Sequence, residues 1–169
     1  SLDAYIHSPY QWLLRYAARI RPGSIASLSD GNLLKGTLAH RLYEEFLNTN
    51  PDIPAIKVGL IPDWVDEHIL ALLQQEGAML LASGRQAECE RFITTLQESL
   101  TVLVKQLQQA NIVKVEPELS QEGLFTGGKL SGSIDLLAIR ADGREAIVDI
   151  KLGGRKYRRD ALLSGSYLQ

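Results

Sequence analysis

The chain has 169 residues and a mass of 18.7 kDa, the size of one domain around one core. A net charge of −2 excludes a molecule that attracts nucleic acid with its whole surface, so any such contact needs a local basic patch. The single cysteine, Cys89, excludes an internal disulfide and a cysteine-rich metal cluster, and no apolar run approaches the ~20 residues of a membrane-spanning helix.

The first half of the chain is predicted to be helical. Ser8-Pro9 opens an apolar-periodic stretch over residues 10–20, because proline is tolerated in the first turn of a helix. A second helix is predicted from about Leu34 to Leu47. Between Asp63 and about Ala110 apolar residues keep helical spacing, and Gly84 is expected to separate two helices there.

The character of the sequence changes at about Ile112. Three runs rich in β-forming residues follow, separated by glycine-containing turns: Ile112 to Leu119, Lys129 to Ile139 and Arg144 to Leu152. A last short segment, Ala161 to Gln169, is predicted to be helical. Helices followed by an antiparallel β-meander and a helix predict a mixed α/β, or α+β, architecture.

The second and third β runs are joined by Ala141-Asp142-Gly143, which suits a three-residue hairpin loop with glycine in the left-handed region. This loop pairs Leu137 with Ile147 and Asp135 with Asp149, and all four side chains share one face because strand side chains alternate. A two-residue loop would instead shift the register by one and place the aspartates on opposite faces.

Two opposed carboxylates are the chemical feature of this hairpin. The Cβ atoms of Asp135 and Asp149 would lie roughly 4.5–5.5 Å apart, which is destabilising unless a positive charge lies between them. A divalent cation such as Mg²⁺ or Mn²⁺ suits such oxygen ligands, and Lys151 on the same face would address the same bound group. The alternative is an aspartate and a lysine that are only solvated or salt-bridged. We expect Leu137 and Ile147 to anchor this face to the core.

At these residues the sequence resembles the PD-(D/E)XK nucleases, and specifically their RecB-like branch. Gly132-Ser133-Ile134-Asp135 and Val148-Asp149-Ile150-Lys151 are similar to the family's aspartate strand and D-x-K strand. Gly36-Thr37-Leu38-Ala39-His40 resembles the G-x-x-x-H helix of that branch. The opening, Tyr5 to Tyr16, is similar to the first helix, and Gln169 lies where the branch has a DNA-contacting glutamine.

The resemblance implies a restriction-endonuclease-like core, with residues 1–169 forming a single domain. It implies a Mg²⁺- or Mn²⁺-dependent nuclease that hydrolyses DNA in repair, recombination or end processing, with exonuclease action favoured over endonuclease action. Relatives that carry an iron–sulfur cluster have a cysteine near the position of Ser8, so no cluster is expected here. The family's glutamine is followed by a tyrosine that is missing after Gln169. We therefore expect a fragment of a longer cytoplasmic protein, with DNA as partner and a helicase domain or subunit as a candidate neighbour.

The resemblance also implies a role for each residue of the site. Asp135 and Asp149 would hold the cation, with His40 and the carbonyl of Ile150 as further ligands. Lys151 would position the attacking water or neutralise developing negative charge. Its carboxylate neighbours favour the second, electrostatic role over that of a general base.

His40 also stands out on its own helix. Gly36, His40 and Tyr43 lie on one narrow stripe, and Gly36 leaves room beside the imidazole because helical side chains lean towards the N-terminus. A histidine with open space beside it can reach a metal; the alternative is a satisfied histidine at a helix surface. Gly36, Tyr43 and, on the first β run, Glu118 are expected to support the ligands without contacting the cation.

A glycine pair after Lys151 is followed by four basic residues in five positions. They are expected to contact DNA phosphates at the mouth of the site, together with Gln169; the alternative is a solvated charged loop. These residues are Arg155, Lys156, Arg158 and Arg159.

Two rival interpretations concern the whole chain. One is a non-catalytic DNA-binding or scaffold module that has the nuclease fold within a helicase–nuclease complex. The other is a helical protein-interaction domain in which the aspartates affect only stability.

Overall fold

The computed structural model divides into two compact units, of which one comprises Ser1–Leu28 with Gly153–Gln169 and the other Ser29–Leu152. The residues that it describes are 5–6, 8–18, 31–125, 128–152, 159–160 and 163. None of the described helices has the length and apolar character needed to span a bilayer.

In the first unit, helix α1 (Pro9–Trp12) continues into a π-helical turn over Leu13–Ala17. Pro9 occupies the first turn, where its missing N–H leaves no intrahelical bond unmade. The predicted first helix is therefore present over these residues. Within the predicted final helix, residues 161–169, the structure describes Leu163, which is helical; the other residues of that segment lie outside the described residues.

The second unit begins with helices joined by short 3-10 turns. The helices are α2 (Gly31–Thr49), α3 (Ile61–Glu76) and α4 (Gln86–Gln109). The turns are Ile53–Ala55, Val58–Leu60 and Ala78–Leu81. Gly84 lies just before α4 with a φ of +84°, a conformation that favours glycine, so the predicted break at Gly84 is confirmed.

The core lies where the helical layer meets the sheet. Helix α4 buries one residue per turn along a stripe, since apolar residues recur at helical spacing. The buried residues of that stripe are Cys89, Phe92, Leu96, Leu100, Val104 and Leu107. Leu38 and Leu42 of α2 and Leu136 of the sheet join the same cluster and are fully buried. Each such leucine contributes about 1.5–3 kcal/mol through burial, so α2 is held firmly against the sheet.

Among the described residues, three antiparallel strands form a sheet in the order β1-β2-β3. They are β1 (Ile112–Phe125), β2 (Gly128–Arg140) and β3 (Glu145–Val148). The fold is thus the predicted mixture of helices and an antiparallel meander, consistent with a restriction-endonuclease-like α/β architecture.

The turn between β2 and β3 has the predicted three-residue geometry. The N–H of Gly143 donates to the carbonyl of Arg140 at 2.9 Å, and the N–H of Arg140 donates to the carbonyl of Arg144 at 2.9 Å. Gly143 has a φ of +80°. Leu137 consequently lies opposite Ile147, and the alternative two-residue loop is excluded.

The expectation that Leu137 and Ile147 anchor this hairpin to the core is wrong. Ile147 is 68% exposed, whereas Leu136 and Ala138 are buried. Because side chains alternate along a strand, the core side of β2 carries the residues next to Leu137. Leu136 and Ala138, whose side chains point to the face opposite that of Asp135, therefore pack β2 against the core.

Candidate active site

His40 lies on α2 with both ring nitrogens facing acceptor oxygens. Nε2 is 2.9 Å from the carbonyl oxygen of Ile150 and 3.9 Å from Oδ2 of Asp135. Nδ1 is 3.3 Å from Oε1 of Glu118. The neighbours Leu38 and Ala39 are fully buried, so the packing of α2 fixes the direction in which the half-buried imidazole points.

Asp135 connects β2 to the segment that follows β3. Its Oδ2 accepts a hydrogen bond from the N–H of Ile150 at 2.8 Å, and its side chain is only 16% exposed. The ladder ends with Leu136 opposite Val148, and one further step of that register places Asp135 opposite Asp149. The predicted pairing of the two aspartates lies one step beyond the ladder, because β3 ends at Val148.

Lys151 lies between the two aspartates. Its Nζ is 2.6 Å from Oδ1 of Asp149 and 3.8 Å from Oδ2 of Asp135. This ammonium group supplies part of the positive charge that an opposed carboxylate pair requires. The side chains of Lys151 and Asp149 are 29% and 36% exposed, so the group remains open to a solvent-borne ligand.

Beside this pair lies a group of side-chain atoms whose types and spacing suit a cation. His40, Glu118 and Asp135 each offer one ligand atom, and these atoms all lie within 4.8 Å of one another. The carbonyl of Ile150 adds an oxygen on the Nε2 side of the imidazole. Carboxylate and carbonyl oxygens suit Mg²⁺ and Mn²⁺, and imidazole is a common ligand of transition metals, so these donors fit a divalent cation.

Glu118 interrupts the regular pairing of β1 with β2. Pro117 is opposite Leu136 and Leu119 is opposite Ile134, while Glu118 between them has a φ of +50°. The sequence predicts only a supporting position for Glu118 and does not predict its contact with the histidine. Pro117 is the signal that could have found it, because a proline in a strand marks an edge or a bulge.

The other residues expected near the site are placed as follows. A Cβ atom added to Gly36 would meet nothing within 4 Å, so open space does lie beside that turn of α2. Tyr43 is buried in the core, and its hydroxyl is 2.5 Å from Oγ of Ser99 on α4. Burial raises the pKa of the Tyr43 phenol, and this contact joins α2 to α4.

Most of the predicted DNA-contacting residues cannot be placed against this site. Arg159 is helical and belongs to the first unit. The remaining ones, Arg155, Lys156, Arg158 and Gln169, lie outside the described residues.

The described residues thus combine an antiparallel sheet, the helix that carries His40 and an Asp-x-Lys segment, with donor atoms that suit a cation. Residues 1–169 match the family model of the PD-(D/E)XK nuclease superfamily. The chain therefore belongs to the PD-(D/E)XK nuclease superfamily, whose members generally use divalent metals.

Similarity to curated proteins is limited to part of the chain. Golgin subfamily A member 8B and golgin subfamily A member 8A, both of Homo sapiens, are each 37% identical to it over 73 residues. The alignment covers 43% of this chain, but only 12% and 11% of those proteins. The chain thus spans a small part of these relatives, which do not assign it a function. No solved structure gave a significant match.

Proposed function

We propose that this chain is a divalent-metal-dependent deoxyribonuclease of the RecB-like branch, acting in DNA repair, recombination or the processing of DNA ends. The observation that carries the proposal is the convergence of His40 Nε2, Asp135 and the Ile150 carbonyl beside Lys151. The histidine supports the RecB-like branch, because the helix that resembles the G-x-x-x-H motif presents its imidazole to the Asp-x-Lys segment. Exonuclease action is favoured over endonuclease action by the same resemblance.

Asp135, Asp149, His40 and the carbonyl of Ile150 would hold Mg²⁺ or Mn²⁺. When bound, such an ion makes a water molecule more acidic and stabilises negative charge on the phosphate. Asp135 has a second task, because its hydrogen bond to the Ile150 amide at 2.8 Å holds the peptide chain whose carbonyl faces His40.

Lys151 would act on the phosphate through its charge. Two carboxylates within 3.8 Å favour an ammonium ion over a neutral amine, so an electrostatic role fits better than proton abstraction. Asp149 holds this ammonium group at 2.6 Å, which orients it towards the site. Charge stabilisation of this kind typically contributes about 10²–10³-fold in rate.

The test is cleavage of labelled linear and circular DNA with Mg²⁺, Mn²⁺ and EDTA in parallel. Asp149→Ala and Lys151→Ala should each lower metal-dependent cleavage by about 100-fold or more while the protein stays folded. Asp52→Ala and Lys105→Ala remove the same types of charge from exposed positions outside the site and should leave cleavage unchanged. Unaltered cleavage by the first two variants excludes the mechanism.

A non-catalytic scaffold with the same fold is the second candidate, and calorimetry separates it from the nuclease. The nuclease should bind Mn²⁺ specifically and lose that binding in Asp135→Asn, whereas a scaffold should bind no divalent cation specifically. The product lengths from linear and circular DNA would distinguish exonuclease from endonuclease action.

The basic residues after Lys151 are proposed to contact DNA phosphates, with Gln169 contacting the same strand. Replacing Arg155, Lys156, Arg158 and Arg159 together should weaken DNA binding and flatten its dependence on salt concentration. Binding that ignores salt, or that survives the fourfold replacement, would reject this role. We also propose that residues 1–169 act as one domain in the cytoplasm, with a helicase domain or subunit as neighbour.

A further inference from the structure

We propose that Glu118 is a positioning residue that holds the imidazole of His40 through Nδ1 and is not itself a ligand of the cation, and that the chain keeps a strained backbone at Glu118 for this purpose. The inference rests on the proposed function, since it takes the cation to bind at Nε2 of His40.

The two nitrogens of His40 face different partners. The Ile150 carbonyl and Oδ2 of Asp135 lie near Nε2, at 2.9 and 3.9 Å, so a cation shared by these groups belongs on that side of the ring. Glu118 also has an oxygen within 4.8 Å of the Asp135 ligand atom, but its Oε1 approaches the other ring nitrogen, Nδ1, at 3.3 Å. Without a cation, Nε2–H can donate to the Ile150 carbonyl; with a cation bound at Nε2, the proton belongs on Nδ1, which can donate to Glu118.

A carboxylate behind a metal-binding histidine has a known physical effect. It fixes the tautomer and the orientation of the ring and makes the other nitrogen a better donor to the metal. The second oxygen of Glu118, Oε2, accepts a hydrogen bond from the hydroxyl of Ser133 at 3.4 Å. Contacts to both oxygens restrict the carboxylate to the position that it needs opposite His40.

The backbone of Glu118 is unfavourable for a glutamate. Its φ of +50° is in the left-handed region, where the Cβ atom crowds the following carbonyl oxygen. Such conformations persist where surrounding structure enforces them, and they concentrate at functional sites. The neighbouring pairs, Pro117 with Leu136 and Leu119 with Ile134, place Glu118 level with Asp135, so the strained residue lies at the candidate site.

The experiment measures metal-free stability and Mn²⁺ affinity on the same variants. Glu118→Gly and Glu118→Asn relieve the strain, because glycine and asparagine tolerate the left-handed region, and both remove the carboxylate. In EDTA each should melt about 2–8 °C above the wild-type protein. Their Mn²⁺ affinity should fall by about 10–100-fold in calorimetry, as expected when the partner of a metal-binding histidine is lost.

Two further variants serve as controls. Glu118→Gln keeps the strain and an oxygen that can accept from Nδ1–H, so it should gain no thermal stability and should lose less Mn²⁺ affinity than Glu118→Gly. Glu116→Gly changes the same residue type two positions earlier, where φ is not positive, and should lower the melting temperature. A ¹⁵N spectrum of His40 should show its proton on Nδ1 in the Mg²⁺-bound wild type and a perturbed Nδ1 signal in Glu118→Gly.

The outcomes separate this inference from the function on which it rests. If Glu118→Gly lowers the melting temperature as Glu116→Gly does, the strain is not there. If Glu118→Gly binds Mn²⁺ like the wild type while Asp135→Asn does not, Glu118 does not position the histidine and the proposed function stands. If the wild-type protein binds no Mn²⁺, both proposals are wrong.

Discussion

The hydrogen bond between Asp135 and the Ile150 amide can be measured through stability, independently of any cleavage. Asp135→Asn and Asp135→Ala remove the same negative charge, so the electrostatic change caused by losing that charge is common to both variants. Only asparagine keeps a side-chain oxygen that can accept from the Ile150 N–H. The difference between the two variants therefore reports the hydrogen bond.

The magnitude follows from the environment of Asp135. Its side chain is 16% exposed, so the Ile150 N–H would be left with little access to water after truncation to alanine. A net hydrogen bond contributes about 0.5–1.5 kcal/mol, and an unsatisfied buried donor costs about 1–3 kcal/mol. Asp135→Ala should thus unfold about 1–2 kcal/mol more easily than Asp135→Asn, which is roughly 2–8 °C in melting temperature for a chain of this size.

Urea unfolding in EDTA, followed by circular dichroism, measures this difference between the two midpoints. The slopes of the two transitions should agree, because neither variant changes the surface exposed on unfolding. Equal midpoints, or a more stable alanine variant, would refute the idea that Asp135 holds the segment after β3. Both variants should have lost Mn²⁺ binding.

Three other predictions concern the scaffold around the site. Leu96→Ala removes a fully buried side chain and should lower the free energy of unfolding by about 2–5 kcal/mol in urea, whereas a loss below about 1 kcal/mol would contradict the packing. Gly36→Ala adds a methyl group that meets no atom within 4 Å, and should raise the unfolding free energy by about 0.5–1 kcal/mol because alanine favours helix. A melting temperature below that of the wild-type protein would contradict this prediction. Hydrogen bonds from Arg85 and Lys35 lower the pKa of Glu88 from 4.5 to about 2, so the stabilisation from this group is complete above about pH 4.5 and is lost as the pH falls towards 2. Melting of Glu88→Gln should accordingly depend less on pH in that window, and identical pH profiles for the two proteins would contradict the assignment.

The register of the second hairpin was predictable because local chemistry determines it. Ala141-Asp142-Gly143 needs one residue with positive φ, and glycine occupies that position at +80°. Once the loop has three residues, the pairing of Leu137 with Ile147 follows from counting. One further step of that register, beyond the last pair of the ladder, would place Asp135 opposite Asp149.

The contact between His40 and the Ile150 carbonyl was not predictable in the same way. The two residues are 110 positions apart, and their distance depends on how α2 packs against the sheet. Hydrophobic spacing predicts which side of α2 is buried but not the angle at which the helix crosses the strands. The resemblance to a known motif supplied the histidine as a candidate, and the packing of the core supplied its direction.

The length of β1 was underestimated for a related reason. It was expected to end at Leu119 and it continues to Phe125. Residues 120–124 have weak β-propensity, but pairing continues through Leu124 opposite Lys129, and cross-strand pairing outweighs the intrinsic preference. The left-handed conformation of Glu118 inside this strand is a tertiary feature that composition does not reveal.

Ile150 contacts both the hydrophobic core and the candidate site. Its side chain packs against the core while its main-chain oxygen faces His40. Changing the side chain to valine or leucine leaves that oxygen chemically intact, so mutational scanning would overlook it. Damage to the interior, on the other hand, would tilt this peptide unit and reach the imidazole without any substitution nearby. The geometry of the candidate site therefore depends on how well the core packs against Ile150.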